Sequence, residues 1–245
     1  MGRPKTKFET TDNVIRELGN RKKFHPKDLT SFQPKSKKQE QYLNSYYTQI
    51  PLILQSGAAG TGKSTIALYS ALSEVLDEGT EYKKIILIRS AVETRSIGFL
   101  PGDLEEKMEP YERPYKDIVN QILPYANSYN NLKALGYLEF MLSTHIRGLT
   151  FDNAVIIVDE IQNMDQPEIL SVLTRIGINS RMVLCGDSKQ DDLFRQRFKS
   201  GFSYLKELFE GIDIEYRDVV EYGIDDILRS DLVKQILIAD SRIKT

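Results

Sequence analysis

Cysteine, histidine and long apolar runs are all scarce in this chain. Cys185 is the only cysteine among 245 residues, which excludes intramolecular disulfides and cysteine-rich zinc sites. It closes the apolar run Met182-Val183-Leu184 and reads as core rather than as a reactive thiol. The two histidines, His25 and His145, lie far apart, so a histidine metal centre or a Ser-His-Asp triad would have to rest on one of them. No apolar run approaches the length of a membrane span, and the start MGRPKTKFETTD lacks the apolar stretch of a secretory signal. Thr6 after Met1-Gly2 meets a myristoylation pattern only formally, because Pro4 and Lys5 set it in a basic, polar run. The expectation is a cytoplasmic protein with no membrane partner.

What is present is an ordinary globular composition, 40% apolar and 28% charged, with length enough for one α/β domain with extensions. The net charge of −2 conceals an asymmetry. Before Gln39 the basic residues Arg3, Lys5, Lys7, Arg16, Arg21, Lys22, Lys23, Lys27, Lys35, Lys37 and Lys38 face only Glu9, Asp12, Glu17 and Asp28. A basic arm on an acidic body suits phosphate-backbone contact, docking on an acidic face of a neighbouring subunit, or plain solvation. The chain is accordingly divided into a basic extension, 1–35, and a domain, 36–245.

The most informative stretch is Leu52–Ile66. A short apolar run leads into Gly57-Ala58-Ala59-Gly60-Thr61-Gly62-Lys63-Ser64-Thr65, and a helical pattern follows. This is the phosphate-binding G-x-x-x-x-G-K-[ST] loop in the strand–loop–helix setting it requires. Its backbone N–H groups and the helix N-terminus favour anionic phosphates. Lys63 supplies a point charge to the terminal phosphates, and Ser64 offers a hydroxyl to Mg²⁺.

Apolar runs of strand length recur at Ile85–Ile88, Val155–Val158, Met182–Leu184 and, as an edge strand, Ile212–Val220. Helical patterns cover Thr10–Leu18, Lys37–Tyr47, Ile66–Leu76, Asp103–Leu123, Asn131–Leu142, Pro167–Thr174, Gly201–Leu208 and Asp225–Ile238. Continuous Val/Ile/Leu runs alternating with helices predict an α/β P-loop fold: a mostly parallel central sheet with helices on both faces.

Val155–Val158 ends in Asp159-Glu160. Ligands of open α/β sheets bind outside the carboxyl ends of the strands, so Asp159 and the P-loop can reach one site. Asp159 suits the Mg²⁺ shell, directly or through water, and Glu160 suits a base for attacking water. The same acids could simply precede a helix. Met182–Leu184 leads through Cys185-Gly186-Asp187 to Gln190, a candidate γ-phosphate sensor. Ser188-Lys189-Gln190-Asp191 also resembles a guanine-reading motif, but the glycine that GTPases place after the Mg²⁺ aspartate is missing.

These residues carry a resemblance. GAAGTGKST, RSAVETRSIGFLPGDLEEKMEPYERPYKD, HIRGLTFDNAVIIVDEIQN and LTRIGINSRMVLCGDSKQDDL resemble the PhoH family of P-loop ATPases, whose core is similar to superfamily 1 helicases. The resemblance implies ATP and Mg²⁺, ring-shaped homo-oligomers (a hexamer fits), and a role on RNA or single-stranded DNA. By position it implies Gln39, with Gln41 as the alternative, as the adenine reader. Asp159 and Glu160 become the Mg²⁺ and base carboxylates, and Gln190 the γ-phosphate sensor. Asp226-Ile227-Leu228-Arg229 resembles the late arginine motif, so Arg229 is expected on the closing helix, acting across a subunit boundary. Arg89, Arg113 and Arg147 lie in family blocks too; Arg147-Gly148 is a candidate for phosphate or nucleic-acid contact, and a surface salt bridge is the alternative for each. No second helicase-type ATPase domain follows in this sequence. A small-metabolite kinase and a non-catalytic, nucleotide-regulated assembly factor are the rival readings.

Overall fold

A computed structural model describes residues 23–90, 104–187 and 201–243. Among them lie α1 (Lys37–Tyr47), β1 (Leu52–Gly57), α2 (Lys63–Val75), β2 (Lys84–Arg89), α3 (Leu104–Ile122), α4 (Ser128–Ala134) and β3 (Leu138–Leu142). They are followed by β4 (Ala154–Asp159), α5 (Gln166–Leu173), β5 (Arg181–Gly186), α6 (Gly201–Glu210), β6 (Arg217–Tyr222) and α7 (Asp231–Ile243). The six strands form one sheet in the order β3-β2-β4-β5-β1-β6. Every pairing is parallel.

The strand sequences explain their places. β1, β4 and β5 are buried along their whole length, as strands covered on both faces must be. Their residues alternate between two cores. Ile53, Ile85, Leu87, Val155, Ile157, Val183 and Cys185 face α1 to α4. Leu54, Ile86, Ile88, Ile156, Val158, Met182 and Leu184 face α5 and α6. The edge strands β3 and β6 are only partly buried. Ser36 caps α1 by accepting the Gln39 N–H at 3.3 Å, and Tyr42 and Tyr46, one turn apart, bury that helix against the sheet. Asp165 caps α5 at the Glu168 N–H, 2.9 Å away, with Pro167 in the first turn.

Three expected elements need correction. The helix Asn131–Leu142 is instead α4 followed by β3. The chain leaves α4 through Gly136, whose φ of +79° is a left-handed turn that stops a helix, and Leu138, Phe140 and Leu142 then alternate as strand residues. The edge strand is Arg217–Tyr222, because Tyr216 closes a turn onto the Asp213 carbonyl at 3.0 Å. The closing helix begins only at Asp231; Ile224–Asp226 is a single 3₁₀ turn, and Ile227–Ser230 is a non-helical strap.

The expected helix Thr10–Leu18 lies outside the described residues. The final part of the expected basic extension is packed on the domain: Phe24 is buried in the core, and Thr30 bonds through N–H and hydroxyl to the Ile122 carbonyl. No helix among the described residues is long and apolar enough to cross a membrane.

Candidate functional site

The register sets the ends of the inner strands level. Ser56 of β1 faces Gly186 of β5, and Arg89 of β2 faces Asp159 of β4. The P-loop springs from β1 at that level and runs into α2. Together they frame a cavity of about 310 Å³ at the carboxyl end of the sheet. The cavity is lined by the P-loop and the start of α2, by Asp159, Glu160 and Asp187 at the strand ends, and by Pro114, Tyr115 and Ile118 of α3.

Lys63 is 9% exposed, and its ammonium donates to the Gly57 carbonyl at 2.8 Å and the Ala58 carbonyl at 2.9 Å. Burial lowers its pKa, and nearby groups including Asp187, Asp159 and Glu160 oppose that shift. Thr61 braces the loop from within, its hydroxyl on the Ala58 carbonyl at 3.1 Å. Ala59, Gly60, Gly62, Ser64 and Thr65 line the cavity.

The expected Mg²⁺ partners converge. The Ser64 hydroxyl donates to Asp159 Oδ2 at 2.8 Å. Asp159 Oδ1 accepts the Glu160 N–H at 3.0 Å. Among the described residues no group of three or more His, Cys, Asp or Glu could hold a metal. A hydroxyl beside one carboxylate is instead the donor set of an ion that takes its remaining ligands from water and nucleotide phosphates, which fits Mg²⁺. His25 and His145 belong to no such cluster.

Glu160 stands in the left-handed region, φ +57° and ψ +41°, a strained place for a residue with a side chain. Its carboxylate accepts the Gln162 amide N–H, and Gln162 Oε1 accepts the Asp187 N–H at 3.0 Å. The 3%-exposed Gln162 thus links the β4 end to the β5 end. Burial, and then the Asp159 charge, push the Glu160 pKa above its ordinary value, while Gln162 draws it down.

Arg229 reaches the cavity from the strap rather than from a helix. The Leu228 N–H donates to the Gly60 carbonyl at 2.9 Å. Gly60 has φ +80°, and a methyl there would stand 2.8 Å from Arg229 Cγ, so the strap lies directly on its own chain's P-loop. Arg89 is also at the cavity, its guanidinium 5.9 Å from the Tyr111 and Tyr115 ring centroids. Arg113 and Arg147 are exposed and do not line it.

Gln39 sits behind the P-loop, 1% exposed, with both ends of its amide engaged by backbone. Nε2 donates to the Thr61 carbonyl at 3.0 Å and Oε1 accepts the Lys35 N–H at 2.8 Å. In this arrangement it braces the loop and is not a cavity residue. Gln41 points toward β6, its amide 3.5 Å from the Val219 carbonyl. Gln190, and with it the Ser188–Asp191 motif, lies outside the described residues. Cys185 is buried under the site, where desolvation raises its pKa.

Sequence reasoning assigned no role to Tyr115 or to Asp187. The Tyr115 hydroxyl donates to Asp159 Oδ2 at 2.9 Å; Tyr115 lies in the family block that ends ERPYKD, but nothing in that block ties it to the β4 carboxylate. Gln162, two residues past Glu160, was legible as part of the motif but not as a brace.

The chain matches a family described as "PhoH-like protein" over residues 31–240. A PhoH-like protein of Bacillus subtilis (strain 168) is 40% identical over 187 residues, 76% of this chain and 57% of that protein. Protein PhoH of Escherichia coli (strain K12) is 33% identical over 217 residues, 88% of this chain and 60% of its own length. The chain therefore spans little more than half the length of these relatives. Among solved structures, the large terminase from a thermophilic bacteriophage superposes with a TM-score of 0.48 and 15% identity, over 84% of this chain and 50% of that one.

Proposed function

The chain belongs to the PhoH-like family and has the fold of a P-loop nucleoside-triphosphatase, and on that premise we propose that it is a Mg²⁺-dependent ATPase that couples hydrolysis to binding or remodelling RNA or single-stranded DNA as a ring-shaped homo-oligomer. One observation carries the ATPase reading: the Ser64 hydroxyl and the Asp159 carboxylate meet 2.8 Å apart at the mouth of the P-loop, with Glu160 next in sequence.

When bound, Mg²⁺ would neutralise charge on the nucleotide phosphates. Ser64 and Asp159 would hold the ion, and Lys63 would turn from the loop carbonyls to the terminal phosphates. Glu160 orients a water molecule and takes its proton, and Gln162 keeps that carboxylate in place.

The nucleic-acid part rests on the basic arm, and the oligomer on an apolar strip of α7, where Leu232 and Ile236 are 70% and 56% exposed. Steady-state ATP hydrolysis, with no acceptor present, with and without single-stranded RNA, single-stranded DNA and duplex, tests the whole reading. Activity that Lys63→Ala abolishes and single strands stimulate is the expected result. No turnover without an added acceptor would favour a kinase.

Because Phe24 and Thr30 are packed on the domain, the arm is best removed at residue 22. That truncation takes away Arg3, Lys5, Lys7, Arg16, Arg21 and Lys22 and should flatten the log–log salt dependence of single-strand binding. An unchanged slope would assign the arm to subunit docking instead.

A further inference from the structure

Asp159 receives two hydroxyl hydrogen bonds on the same oxygen. Ser64, at 2.8 Å, belongs to the phosphate-binding motif; Tyr115, at 2.9 Å, comes from α3. Tyr115 is 2% exposed, so its hydroxyl makes this bond away from solvent. With the Glu160 N–H on Oδ1, the carboxylate is pinned from three sides. A carboxylate offers about four lone-pair sites over its two oxygens, so with two bonds on Oδ2 and one on Oδ1 it keeps a site on Oδ1 for a cation.

We infer that Tyr115 is a positioning residue for Mg²⁺: its hydroxyl, with that of Ser64, occupies Oδ2 and fixes the rotamer of Asp159 so that the free site on Oδ1 serves the ion where nucleotide phosphates would lie. This rests on the ATPase reading and adds to it a residue from outside the P-loop and the Asp159-Glu160 motif. The ring has a separate task. Arg89 lies 5.9 Å over it and over Tyr111, so the ring holds a cation at the cavity wall while the hydroxyl holds the carboxylate. Replacing only the hydroxyl therefore isolates the effect on the metal.

The test uses the full chain and a fluorescent ATP analogue, titrated first in EDTA and then with increasing Mg²⁺, for the wild type and Tyr115→Phe. Phenylalanine keeps the ring, its packing and the Arg89 contact. The expected result is unchanged affinity in EDTA and an unchanged melting temperature, with the Mg²⁺ concentration for half-maximal gain raised about 10-fold, the lower end of what losing a hydrogen bond behind a metal ligand does. A variant that follows the wild-type Mg²⁺ curve overturns the inference. So does an equal loss of affinity in EDTA and in Mg²⁺, which marks a packing role. A wild type that binds the analogue no better with Mg²⁺ than in EDTA overturns the Mg²⁺-dependent reading itself, and this inference with it.

Discussion

Glu160 and Asp159 are adjacent in sequence, yet the backbone turns their side chains to different tasks. Asp159 still belongs to β4, and its carboxylate is pinned by Ser64 and Tyr115. Glu160 leaves the strand with φ +57°, and its carboxylate is steadied by Gln162 alone among the bonds described. The strain of that backbone is tolerated because Asp159 Oδ1 caps the Glu160 N–H and Gln162 ties the side chain to β5. Glu160→Gln keeps the shape and removes the proton acceptor. It should retain ATP affinity and lose turnover by roughly 10²–10⁴-fold, the usual worth of a general base. Asp159→Asn should instead weaken the Mg²⁺-dependent part of binding. Equilibrium binding beside single-turnover hydrolysis separates the two, and normal hydrolysis by Glu160→Gln would reverse the assignment. At this scale Lys63 and Ser64 were legible from the spacing of one strand–loop–helix unit, and Asp159 and Glu160 as acids closing a separate buried apolar strand. Tyr115 was not, because it stands inside α3 with no strand end or phosphate-loop spacing beside it, and it meets Asp159 only in the folded chain.

At the scale of elements, the opposite end of the sheet is held by one buried arginine. Arg181 opens β5, is 1% exposed, and lies between the rings of Tyr46 and Tyr82, at 4.3 and 4.9 Å from their centroids. It donates to the Tyr46 carbonyl at 2.6 Å, the Tyr82 hydroxyl at 3.0 Å and the Gln49 side chain, and pairs with Glu74 of α2 at 3.6 Å. Glu74 also accepts the Tyr46 hydroxyl at 2.8 Å. One guanidinium thus ties α1, α2 and β5 far from the chemistry, which fits a stabilising role. Arg181→Met should cost about 3–5 kcal/mol, because Glu74 is left buried without its cation. Adding Glu74→Gln should return part of that loss. Urea titration measures both, and a loss under about 1 kcal/mol for the single variant would mean that the network is replaceable by packing. Most helices and strands were legible from apolar period. The α4–β3 boundary was not, since Leu132, Leu135 and Leu138 sustain a helical spacing across Gly136. The strap was not either: Ile227, Leu228 and Leu232 also fit a helix, but the Leu228 N–H bonds to Gly60 rather than into a helix, and Leu232 is left exposed.

At the scale of the whole molecule, the strap decides how Arg229 can act. A helix docked by Leu228 and Leu232 would project Arg229 toward a neighbouring subunit. The structure instead lays Arg229 along Gly60 of its own P-loop, while the apolar strip of α7 faces away from the sheet. Subunit docking and the arginine contact are then separable: α7 can serve the first while Arg229 serves its own chain's nucleotide. A guanidinium at the terminal phosphate is worth about 10³–10⁵ in rate whether it comes from the same chain or from a neighbour, so loss of activity in Arg229→Ala alone does not distinguish them. Mixing does. Arg229→Ala chains keep Glu160, and Glu160→Gln chains keep Arg229. If the arginine acts within its own chain, no interface in a mixed oligomer combines both groups at one nucleotide, and mixtures should show only the sum of their residual activities. If it acts across the boundary, mixing with proven subunit exchange should restore activity well above that sum. The Leu228–Gly60 bond predicts the first outcome, and restored activity would mean that the strap leaves its own P-loop when subunits assemble.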